Sequence, residues 1–155
     1  MENVIFIVFD ILNFGVLFFL WWLTLKNYKK LPQSIPIHFD VEGKADNYGN
    51  KGYSFLTPVL GAVFYFVFLY FTMHPEYSNF PVEITEANKD IQFFIMKFFM
   101  RLLLLLVLLI FLNGQDHMFR YSFDENAKPK VSFITMLLSI IGSLIVLFIV
   151  VSLFK

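Results

Sequence analysis

Four uninterrupted apolar runs, each close to twenty residues, decide what this chain can become. They cover residues 4–25, 54–74, 93–113 and 132–154. A helix rising 1.5 Å per residue needs about 20 residues to cross ~30 Å of hydrocarbon. Inside lipid the backbone must satisfy its own hydrogen bonds, so each run is expected to be a helix. Hydrophobic residues make up 58% of the chain and charged residues 15%, against about 25% charged in a soluble domain. The surplus of apolar surface calls for a lipid bilayer. The fold class expected is an all-α membrane protein with four transmembrane helices. With no internal repeat and no low-complexity linker, residues 1–155 read as one membrane domain. The first run is expected to be a retained span rather than a removable signal peptide. It is too long, lacks a preceding basic stretch and is followed by no small-residue cleavage site.

Net charge is zero, with 12 basic and 12 acidic residues, so no basic footprint points to nucleic acid. The absence of cysteine excludes disulfides, thiolate nucleophiles and cysteine metal sites. Four spans return both termini and the loop 75–92 to one side and place loops 26–53 and 114–131 on the other. The latter two loops carry Lys26, Lys29, Lys30, Lys44, Lys51, Arg120, Lys128 and Lys130, whereas the termini side carries Lys89 and Lys155. Lys97 and Arg101 just inside the third span add to that second set. The bias predicts cytoplasmic loops 26–53 and 114–131, with both termini outside.

The third helix is expected to begin before its apolar core, with Thr85 as N-cap and Glu86 and Asp90 in its first turns, and to stop at Gly114. Gly15, Gly61, Ala62, Ser139, Gly142 and Ser143 mark places where helices can approach closely. The last three suit intramolecular packing or, alternatively, a homo-oligomer contact.

The first loop alternates. Ile35, Ile37, Phe39 and Val41 interleave with Pro36, His38, Asp40 and Glu42, the period of a strand with one apolar face. Gly43, Gly49 and Gly52 supply turns. Phe119, Tyr121 and Phe123 alternate with Arg120, Ser122 and Asp124 in the third loop. Two short β-strands, one from each loop, are therefore expected to pair into a small extramembrane cap.

Within the first loop Leu31-Pro32, Ile35-Pro36, His38-Phe39, Gly43, Asp46, Gly49 and Lys51 follow the pattern LPxxIPxHFxxxGxxDxxGxK. Over roughly residues 20–65, the sequence resembles the uncharacterised bacterial membrane domain found at the start of the sporulation-delaying toxin immunity protein. The resemblance implies a bacterial inner-membrane protein carrying this loop between two spans, in an immunity-type or signalling role with a peptide or protein partner. The second half of the chain carries no matching signature.

His38, Asp40 and Glu42 stand at i, i+2 and i+4, so a strand would present all three on one face. A histidine with carboxylates can hold a divalent metal, with Asp116 and His117 able to complete the set, and such a centre could activate water. The competing reading gives His38 a loop carbonyl or carboxylate partner in a tight turn and leaves Asp40 and Glu42 solvated. The spacing is no zinc signature, and HExxH is absent. The stretch Asp46–Gly52 lacks the acids of a calcium loop and the glycine spacing of a phosphate loop.

Asp10 in the first span, and Lys97 and Arg101 in the third, form a second cluster. Both spans start from the same side, which puts Asp10 at about 9 Å depth, Lys97 at about 6 Å and Arg101 at about 12 Å. Asp10 is expected to pair with Lys97 or Arg101, because an isolated charge in hydrocarbon is costly. The rival arrangement has both cations reaching the near interface along their own stems. Three functions follow as expectations: an immunity-type or sensory interaction protein, a metal-dependent membrane enzyme built on the His38 loop, and a small transporter component using the charge cluster.

Overall fold

The computed structural model describes residues 2–155. Helix α1 spans Glu2–Tyr28. Strands β1 (Ser34–Phe39) and β2 (Ala45–Asn50) form an antiparallel hairpin. A 3-10 turn at Lys51–Phe55 leads into α2, Leu56–Met73. Helices α3 (Lys89–Tyr121) and α4 (Phe133–Leu153) complete the chain. All four helices are long and apolar enough to cross a membrane, as the four runs require. Their outward faces are apolar, with Ile11, Phe18, Phe66 and Ile149 among the exposed side chains. The protein is a multi-pass membrane protein with a small two-stranded sheet.

Helix α3 is the hub, packing on α1, α2 and α4. Leu17, Leu104 and Leu108 form the centre of the α1–α2–α3 core, flanked by Trp21, Ala62, Tyr65 and Phe68. Gly61 lets α2 approach that core. A Cβ there would sit 3.3 Å from both Leu17 and Leu20 and 3.4 Å from Leu108. Gly15 and Gly142 have no heavy atom within 4 Å of such a Cβ, so neither marks a close helix contact within the chain.

At 33 residues, α3 is about 50 Å long, well beyond the hydrocarbon thickness. Three expectations are corrected here. Its N-cap is Asn88 rather than Thr85. Asn88 Oδ1 instead accepts from the Thr85 amide at 2.8 Å, organising the turn that precedes the helix. The helix also does not stop at Gly114, whose φ is not positive; it runs on to Tyr121. The alternation at residues 119–123 is thus not a strand. Gln115, Met118 and Phe119 are buried, a spacing of three and four that suits a helix face, and packing on Leu31 and Ile35 of the first loop holds that face. The cap sheet is built from the first loop alone.

Helix α4 is attached to α3 at both ends by amide side chains. Asn113 donates to the Val131 carbonyl at 3.0 Å and accepts from the Val131 amide at 3.1 Å. Gln92 donates to the Phe154 carbonyl at 2.9 Å and to that of Val151 at 3.3 Å. The two amides lie about six turns apart and so share one face of α3.

Candidate functional site

The motif residues fold into the hairpin and dock it on α3. Tyr28 ends α1, and Pro32, which cannot continue a helix, stands at the exposed bend before β1. Leu31 and Ile35 are buried against Met118 and Phe119. Pro36 is buried, beside a register irregularity between Pro36 and His38, as a residue without an N–H requires in a ladder. Phe39 packs on His117 with ring centres 4.3 Å apart and the planes tilted by 38°, and meets Tyr121 edge-on at 5.3 Å. Lys51 lies over the Tyr28 ring at 5.1 Å, and its amide donates to the Gln33 carbonyl.

Turn chemistry accounts for Asp40. Its Oδ1 accepts from the Glu42 and Lys44 amides, both at 2.9 Å. Gly43 closes the turn at φ +83°, and a Cβ there would meet Pro129 Cδ at 2.8 Å. The left-handed backbone and the close approach of the third loop both demand glycine. Gly49 is held differently: its added Cβ would meet the tip of Ile37 at 2.9 Å.

Because β1 ends at Phe39, His38, Asp40 and Glu42 do not share a strand face. His38 Nδ1 instead pairs with Asp46 of β2 at 2.5 Å, and Glu42 pairs with Lys44. Asp116 is held by Arg120 and Lys130 at 2.9 and 3.2 Å, and buried His117 bonds the Ala127 carbonyl through Nε2. Among the described residues no group of three or more His, Asp or Glu side chains is arranged to hold a metal ion. The structure thus brings together His38 with Asp46, and Phe39 with His117, but not the expected triad.

A groove of about 680 Å³ opens between the hairpin turn, the end of α3 and the start of α4. His38, Phe39, Asp40 and Gly43 line it from the motif, with His117, Pro129, Phe133 and Met136 opposite. Ile37, Val41 and Phe133 on its walls are exposed.

At the other end of the molecule, Arg101 grips Asp10 through Nε at 2.8 Å and Nη2 at 3.2 Å. The guanidinium lies over the Phe6 ring at 4.4 Å, and Asn13 donates to the Arg101 carbonyl at 3.1 Å. Planar, bidentate geometry is what arginine offers a carboxylate and lysine does not. Lys97 contributes only its carbonyl, which accepts from Arg101 Nη1 at 3.2 Å. Its ammonium acts outward. Beyond the spans, the Glu76 carboxyl is held below its ordinary range, first by a hydrogen bond with its own backbone amide. Desolvation opposes this, while His74 and then Lys97 add to it. The cavity beside the Asp10–Arg101 pair measures about 10 Å³, room for one water.

Sequence reasoning missed Gln92, Asn113 and Gln115. Gln115 is buried, donating to Thr24 Oγ1 at 2.9 Å and to the Ser54 carbonyl at 2.8 Å, so that it joins α1, α3 and the turn before α2. The available signal was a set of amides at the ends of an otherwise apolar helix, where each must find a partner.

No curated protein and no solved structure matches the chain. Residues 15–62 match one family, described as Domain of unknown function (DUF1648), and these residues comprise the second half of α1, the whole hairpin and the start of α2.

Proposed function

We propose that the protein is an immunity-type or sensory component of the bacterial inner membrane, whose cap meets a hydrophobic segment of a peptide or protein partner on the cytoplasmic side. The observation that carries this reading is the open groove of about 680 Å³ beside the motif hairpin, within the size range of ligand-binding clefts. Its walls expose Ile37, Val41 and Phe133, while the polar motif residues are committed to shaping the hairpin. Such a division suits recognition better than proton transfer or hydrolysis. The resemblance of the motif to the start of the toxin immunity protein supports the same class, and the basic loops support the orientation.

A photo-crosslinking side chain placed at Val41 in cells tests this. The expected result is a polypeptide adduct that disappears with Phe133→Asp, while the same probe at lipid-facing Leu60 yields none. Lipid adducts alone at Val41 would overturn the reading and make the groove an interfacial crevice.

A further inference from the structure

Helix α4 rests chiefly on α3, and a cleft remains between α1 and α4 with α3 as its floor. Its volume is about 450 Å³. Leu106, Leu109 and Ile110 form the floor, Phe19 and Leu23 one wall, Met136 and Ser139 the other. Asp116 and Lys130 stand at its mouth on the cap side.

The cleft's dimensions and chemistry match one occupant. From Asp116 to Leu106 it descends ten residues of helix, about 15 Å, which is half the ~30 Å hydrocarbon core and therefore one leaflet. The lining over that depth is mainly apolar, with Asn113, Thr135 and Ser139 as its polar members. At the mouth, Asp116 is shared by Arg120 and Lys130, two cations against one carboxylate, and the Lys130 side chain remains 69% exposed. A surplus positive charge at headgroup level above a leaflet-deep apolar slot suits an anionic amphiphile. We propose that this cleft is a binding site for an anionic glycerophospholipid, with one acyl chain between α1 and α4 and the phosphate against Lys130.

The full-length protein, purified and stripped of lipid in a neutral detergent, provides the test. Phosphatidylglycerol or phosphatidylcholine is added, and retained lipid is read by native mass spectrometry alongside the unfolding temperature. Phosphatidylglycerol should be retained preferentially, and Lys130→Gln should lower its retention about fivefold, in line with one cation at a membrane surface. Ser139→Phe, which fills the exposed wall, should abolish retention while leaving the lipid-free unfolding temperature unchanged. If that variant fails to fold, the Lys130→Gln comparison decides alone. Equal retention of the two lipids would overturn the proposal, as would an equal response to inorganic phosphate. A dimer that Ser139→Phe disrupts would assign the cleft to a second copy of the chain instead.

Discussion

Asp10 and Arg101 were legible as partners because depth along two spans entering from one side is simple arithmetic. Which cation wins was not legible, since it depends on the rotation of α3, on Phe6 beneath the guanidinium and on bidentate reach. Asp10→Asn is expected to destabilise the protein by about 2–4 kcal/mol in a bilayer or micelle unfolding assay, because it strands a cation in low dielectric. Exchanging the two (Asp10→Arg with Arg101→Asp) should recover part of that loss. No recovery would indicate that the surroundings, not the pair, set the energy. Lys97→Gln should be nearly silent by comparison. The hairpin offers a second contrast. Gly43→Ala combines a positive φ with a 2.8 Å approach to a proline ring, and should cost at least about 1–2 kcal/mol. Gly49→Ala meets the side chains of Ile37 and Tyr53 without a positive φ and should cost less, a ranking that thermal unfolding would show directly. A carboxylate partner for His38 in a tight turn was one of the two readings the sequence offered; which carboxylate was not legible, because the Asp40–Gly43 turn reverses the chain and brings Asp46 within reach of His38 while Asp40 turns to the backbone.

At the scale of elements, the four helices were legible from length and hydropathy, and β1 from its alternation. One error fell at Gly49, expected in a turn but paired with Ile35 inside β2, and another at the end of α3, where three alternating aromatics imitated a strand. A window of five residues fits both periods, and only burial against Leu31 and Ile35 selects the helical one. Hydrogen exchange should therefore show the amides of residues 118–121 protected as a continuation of α3, and the ladder amides of β1 and β2 protected with each other. Uniformly fast exchange at 118–121 would contradict the extended helix. The α3–α4 contact yields a further expectation. Asn113→Leu removes both bonds to Val131 and should cost about 1 kcal/mol, typical of interhelical polar contacts in membranes. Limited proteolysis should then release α4 sooner than it attacks the hairpin.

For the whole molecule, the charge bias predicts the side of the membrane on which the cap sits. Absence of cysteine makes the check clean. A single Lys44→Cys, at a position whose side chain is 73% exposed, should resist a membrane-impermeant thiol reagent in intact cells and react once the membrane is opened. Labelling from outside would reverse the orientation and point the groove at an extracellular peptide. The distribution of polar contacts also bears on how the chain is made. Asp10 with Arg101, Gln115 with Thr24 and Ser54, and Phe39 with His117 all join elements between α1 and α3. Helix α4 and the segment before it add the two amide fastenings, the Lys130–Asp116 pair, the Ala127 carbonyl bond to His117 and an apolar flank. A ribosome that has just completed α3 has already supplied both members of each of those earlier pairs. Helix α4 thus joins an assembly whose α1–α3 pairs are already supplied.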